Sequence, residues 1–215
     1  GGSDSVAVAG AVAVNVASST AQALTGLNRS ITAGGRVTLD TQANLDASAE
    51  ADGSAVAEGG SAGVGVAVAI NVADVVNEAR LGVGASVNAA SLVIGAGTGG
   101  GEATPEHVFI AKATSGAGAD DVGVAGSFAL NVVDVQTVAR VPVFASVQLG
   151  GGDLSLRAES HTRSDAQALP EGSGAAGGSV GVGASVAMNV IQTTTEAVVV
   201  DVVPISGSAA DVLVQ

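Results

Sequence analysis

The chain has no cysteine, tryptophan or tyrosine, and its 215 residues include only three phenylalanines, four prolines and one methionine. Without cysteine there is neither a disulfide framework nor a thiolate metal site, which is neutral between an oxidising exterior and the cytosol. With so few aromatics, burial cannot rest on large anchors, and the aromatic platforms of carbohydrate-active enzymes are missing. Basic residues are scarce too. Seven Lys and Arg stand against twenty Asp and Glu, a net charge of −13, and such a surface repels nucleic-acid phosphates. No apolar run reaches the roughly 20 residues of a spanning helix. The longest, from Ala62 to Ala73, contains Asn71. A transmembrane β-barrel could alternate in this way but would carry aromatic girdles. The chain opens on Gly-Gly-Ser rather than on a basic and then apolar export signal, and it stops part-way through a repeat, so we expect a segment of something longer.

What the chain does contain is glycine, 32 residues of it, with valine and alanine supplying most of a 47% hydrophobic fraction. Small and β-branched residues suit regular stacking better than an irregular core. One stretch is written four times: AVAGAVAVNV (Ala7 to Val16), GVGVAVAINV (Gly63 to Val72), GVAGSFALNV (Gly123 to Val132) and GVGASVAMNV (Gly181 to Val190). Its asparagines, Asn15, Asn71, Asn131 and Asn189, are 56, 60 and 58 residues apart, a period near 58 that predicts a repeat architecture. The repeats run from about 3 to 60, 61 to 120 and 121 to 178, with a partial fourth over 179–215. Gly59-Gly60 and Gly177-Gly178 mark two seams, and the acidic Ala119-Asp120-Asp121 marks the third.

The repeated stretch alternates with the period of a β-strand. Val64, Val66, Val68 and Ile70 alternate with Gly63, Gly65, Ala67 and Ala69. Neither set offers water a charge, which predicts a central strand covered on both faces, most closely on the small-residue one. Beyond Asn71 the valine positions turn polar at Asp74, Glu78 and Arg80, while Ala79 keeps its register; a bend or bulge is expected at the asparagine. A second element, SITAGGRVTL (Ser30 to Leu39) and its counterparts at Ser86, Ser146 and Pro204, reads as two short strands about a turn. A third, Asp40 to Ala57, alternates Leu45, Ala47 and Ala49 with Asp46, Ser48 and Glu50, a strand with one wet face; its counterpart is Arg157 to Leu169. Repeat two departs with GAGTGGGEATPEHVF (Gly95 to Phe109), expected to be a surface loop. Helix signals are nearly absent. The fold expected is all-β, a single repeat array forming a parallel β-solenoid, with one wide turn or several narrow ones per repeat left open.

The V-G-V-A-V-A-h-N-V strand followed by the Ser-Val/Ile-x-Ala-Gly-Gly-x-Val-x-Leu corner resembles the repeats of giant secreted bacterial adhesins, the filamentous-haemagglutinin-like and leukotoxin-type filamentous proteins. The resemblance implies a β-helix-like shaft at a bacterial cell surface, extracellular, with no catalytic residue to carry over.

Candidate chemistry is sparse. Gly95, Gly97 and Gly100 match G-x-G-x-x-G after an apolar strand, but Glu102-Ala103-Thr104-Pro105 follows where a dinucleotide loop needs a helix. SGAGADDVG, from Ser115 to Gly123, approaches the calcium-binding nonapeptide and makes Asp120 and Asp121 candidate calcium ligands, without a second copy in register. His107 and His161 lack a partner motif, and Ser160, His161 and Asp165 fall on both faces of a strand. Glu78 and Arg80 read as an exposed ion pair. The asparagine column has a structural reading: stacked amides satisfy one another where an unpaired buried amide is costly. The function expected is that of a shaft acting by rigidity and self-association into fibres, without an enzyme activity or cofactor. The alternative is a ligand- or glycan-recognising adhesive module built on the 95–109 insertion and the charged strand faces.

Overall fold

The computed structural model describes residues 5–56, 60–99, 105–200, 204–207 and 211–215. They form strands and turns only, with no helix among the described residues. The strands are gathered into parallel sheets. The first sheet holds four long strands, β1 (Val6–Leu24), β6 (Ala62–Arg80), β10 (Val122–Val141) and β14 (Val180–Val199), in the order β1-β6-β10-β14. The second holds the short strands β2 (Ser30–Thr32), β7 (Ser86–Ala89), β11 (Ser146–Leu149) and β15 (Ile205–Gly207). The third holds β3 (Arg36–Ala43), β8 (Ser91–Thr98), β12 (Leu154–Glu159) and β16 (Val212–Val214). The fourth is formed by β4 (Asp46–Asp52), β9 (His107–Ala119) and β13 (Thr162–Gly177), with β5 (Ala55–Val56) also pairing with β9. From β6 to β10 the chain therefore passes through each sheet once.

The sequence expectation of two short strands about a corner is met by β2 with β3, β7 with β8, β11 with β12 and β15 with β16. Gly84, with φ of 72°, and Gly207, with φ of 103°, sit in a backbone region closed to most side chains, at a turn and at the end of β15. The one-wet-face strand is met by β4, where Ala47, Ala49 and Ala51 are buried and Asp46, Ser48, Glu50 and Asp52 are exposed. Residues Asp40 to Ala43 belong instead to β3 and Arg157 to Glu159 to β12, because the corner strands run on before the chain enters the fourth sheet.

Three expectations are corrected. The long strand is not covered on both faces among the described residues. Its Gly/Ala face turns inward, with Ala67, Ala69 and Ala129 fully buried, while its valine face looks outward. Nor is there a bulge at the asparagine, since β1 pairs with β6, β6 with β10 and β10 with β14 in unbroken register through Asn15, Asn71, Asn131 and Asn189. Large residues move to the inner face beyond the asparagine because the interior widens there. Before it, an all-alanine layer joins Ala67, Ala69 and Ala129 to Ala49, Ala51, Ala111 and Ala113. After it, Val75, Val133 and Val135 pack with Phe109, and further on Leu81, Leu92, Ile94, Leu154 and Leu156 fill the broad end. The cross-section is a wedge. Finally, the stretch from Gly95 to Phe109, expected to be a surface loop, is strand at both ends: Gly95–Thr98 belongs to β8, and His107 and Phe109 are fully buried on β9. Residues 100–104 of that stretch lie outside the described residues.

Candidate functional site

The outer face of the long sheet is an unusual surface. Alternation puts every second residue of each long strand on it, and the unbroken register lines these residues up across the four strands. From Val6 to Val16 on β1, and over the matching span of β6, β10 and β14, every outward residue is Val, Ile, Leu, Met, Phe, Ala or Gly. On the edge strand the exposure is high, 73% at Val12 and 75% at Val16; on β6 between its neighbours it is still 46% at Val66. The next row, Ser18, Asp74, Asp134 and Gln192, is polar, and after it come Glu78 and Arg80, paired at 2.6 Å, and Arg140 and Glu196, paired at 3.0 Å. The face is thus an uncharged apolar field ending in a charged margin. Glu78 and Arg80 do form the expected ion pair, but both are half-buried rather than exposed.

On the inner face, directly behind this field, stand the asparagines. Asn71 and Asn131 are fully buried. The Asn15 amide donates to the Asn71 oxygen at 2.9 Å, and the Asn131 amide to the Asn189 oxygen at 3.1 Å. Between Asn71 and Asn131 the stacking contact is replaced by bonds across the interior. The Asn71 amide donates to the Ala47 carbonyl at 3.0 Å, and the Asn131 amide to the Asp165 carbonyl at 2.6 Å and the Phe109 carbonyl at 3.2 Å. The column therefore ties the long sheet to the fourth sheet as well as to itself, a role that residue spacing alone does not reveal.

A second polar feature lies on the outer face of the third sheet. Gly95 pairs with Asp40 and Arg157, and Gly97 with Gln42 and Glu159, so two glycines floor a trough of about 140 Å³ with polar walls on both sides. Arg157 bonds Glu159, and His161 meets the other oxygen of the same carboxylate at 2.8 Å. The hydrogen bond from His161 holds the Glu159 carboxyl below the ordinary carboxylate range, with Arg157 adding to the effect. Gly95 and Gly97 are strand residues and Gly100 lies outside the described residues, so the structure adds no support to the dinucleotide-loop motif that the sequence already disfavours. His161 faces Glu159 and not Ser160 or Asp165; Asp165 accepts from Gln167 at 2.6 Å instead. No triad forms. Asp120 and Asp121 stand exposed on the turn between β9 and β10, and among the described residues no three His, Asp or Glu side chains converge as a metal site would require.

Among the described residues His107 is the one buried titratable group. Its Nδ1 accepts the Leu45 backbone N–H at 3.0 Å, its ring lies against Phe109, and its Nε2 has no protein partner. Burial lowers its pKa, with nearby Asp46 opposing in part. The unfolded chain takes up a proton near the ordinary histidine value of about 6.5, and the folded chain only at lower pH. Stability is therefore full above about pH 6.5 and falls as pH drops from there through the folded pKa. Thermal melts at stepped pH should show this loss, and His107→Leu should flatten it.

Comparison of the chain with protein-family models, with curated proteins and with solved structures finds no match.

Proposed function

We propose that this chain is a segment of a parallel β-solenoid shaft, with one wide turn per repeat of about 58 residues, belonging to an extracellular bacterial adhesin or surface filament of the kind its repeats resemble. It works by length, rigidity and self-association, without a chemical step. The observation that carries this reading is the registration of equivalent positions in the first three sheets, from the asparagine column in the first to Ser30, Ser86 and Ser146 in the second and Leu39, Ile94 and Leu156 in the third. A unit whose outermost strands, such as β14, stay exposed until a neighbour stacks on them is suited to extend in one direction. No helix of the described residues is long and apolar enough to cross a membrane.

Electron microscopy of the purified chain, with sedimentation across a concentration series, tests the proposal. Fibres or end-to-end oligomers of uniform width are expected. A second reading is favoured by the trough over Gly95 and Gly97, whose Asp40, Gln42, Arg157 and Glu159 walls offer both donors and acceptors to a polar ligand such as a glycan. A strict monomer that binds on a glycan array would select that reading over the shaft.

A further inference from the structure

We infer that the outer valine face of the long sheet pairs with the same face of a second copy, so that two stacks lie side by side and point the same way. The inference rests on the shaft reading and names the surface through which shafts associate.

The relief of the face carries it. Counting outward rows from the start of β1, the third row is Gly10, Val66, Gly126 and Ala184, and the fourth is Val12, Val68, Phe128 and Val186. The third row is a groove except at Val66; the fourth is a continuous ridge. Glycine in a strand interior costs conformational entropy and packing, and it commonly marks a close approach by another group. Neither Gly10 nor Gly126 owes its identity to its own chain. A Cβ on Gly10 would meet nothing within 4 Å, and one on Gly126 only the Ala184 carbonyl at an ordinary 3.8 Å. Neither residue has a positive φ. By contrast Gly65, on the inner face of the same sheet, is held to glycine by the Gly116 and Gly53 carbonyls.

The apolar field has six such rows across four strands. A two-fold axis lying between the two faces, parallel to the direction of stacking and midway between the third and fourth rows, maps the field onto itself. Each ridge then enters the partner's groove on β1, β10 and β14, with Phe128 over the partner copy's glycine row, while on β6 valine meets valine. Such a reciprocal contact is isologous and leaves both ends of each stack free. At strand spacings of about 4.8 Å and rises of about 3.3 Å per residue, the field measures roughly 33 by 19 Å, about 600 Å² on each copy. That exceeds or equals the largest apolar patch of a typical monomer, about 300–600 Å², and two such faces together reach the low end of specific interfaces, about 1,200 Å². A lipid surface would fit the apolar field but gives no use to a glycine groove, and the net charge of −13 is repelled by anionic headgroups.

The test is sedimentation of the full chain over a concentration series at low and high salt, beside Val68→Lys and Gly126→Val. The parent chain should form dimers or laterally paired rods, more tightly at high salt because the acidic surfaces are then screened. Val68→Lys puts a charge in the centre of the field and should leave single stacks. Gly126→Val fills the groove with a better strand former, so it should melt no lower than the parent while weakening lateral pairing by about tenfold or more. A parent chain that never pairs laterally overturns the inference, as do variants that pair as the parent does, or a parent that floats with phosphatidylcholine vesicles instead of pairing. Rods that lengthen end to end but stay single would overturn this inference alone and leave the shaft reading standing.

Discussion

Asn71→Leu lowers the stability of the array by about 1–3 kcal/mol, chiefly the cost of leaving the buried Ala47 carbonyl short of its partner, with a smaller loss at the part-buried Asn15 amide. Leucine is close to asparagine in shape, so the loss comes from hydrogen bonding and not from a cavity. The Asn15 amide loses its acceptor, and the Ala47 carbonyl of the fourth sheet loses its cross-interior donor. The measurement is urea unfolding followed by circular dichroism. A variant whose midpoint equals or exceeds that of the parent would show that the amide ties contribute nothing net. Asn189→Leu provides the internal comparison, because Asn189 is exposed and its oxygen accepts from Asn131 and Ser164 only. Its cost should be the smaller of the two.

Gly65→Val costs about 3–5 kcal/mol by overpacking, near the upper end for a single substitution. The inner face of β6 lies so close to the fourth sheet that even a methyl group at position 65 would run into the Gly116 and Gly53 carbonyls. Neither obstacle is a side chain that can turn away. Both are backbone, and Gly116 is itself held in β9. For a chain of this size the melting temperature should fall by roughly 10 °C, taking about 2–4 °C per kcal/mol. Gly10→Val, on the outer face of the neighbouring strand, is the control. Open space surrounds it, and it should melt at or slightly above the parent. Equal losses at the two positions would contradict the wedge-shaped interior.

Much of this architecture is legible in the sequence, because stacking writes itself as repetition. The period of two in GVGVAVAINV, the Ser-Val corner and the Ala-against-acid alternation of Asp46 to Asp52 each specify a strand and its surroundings locally. Which face of the long strand turns inward is harder to see, since neither face carries a charge over the repeated stretch and valine is ordinarily the buried partner of alanine. The signal lies further along. Asp74, Glu78 and Arg80 share the parity of Val64 to Val72, so one unbroken face carries both the valines and the charges, and an unbroken face with charges on it must be outside. Reading the change of polarity at Asn71 as a bend hides that inference. The widening interior is legible only across elements: Ala111 and Ala113 face the alanine end and Phe109 the valine end, a match between distant segments that no local pattern contains. The trough on the third sheet depends likewise on Asp40, Gly95 and Arg157 meeting from three repeats.

The unbroken register of the long sheet has a mechanical consequence. Its hydrogen bonds run from strand to strand along the stacking direction, and each step between neighbouring strands extends over about twenty residues with no bulge at which a tear could start. Tension applied uniformly along the stack is therefore shared by all the bonds of a step at once, together with those of the other three sheets. The same step pulled from one corner would fail bond by bond. Resistance to force then depends on how evenly the load enters the end strands, and lateral pairing of two faces, by holding the long strands flat, would keep a pull from becoming a peel.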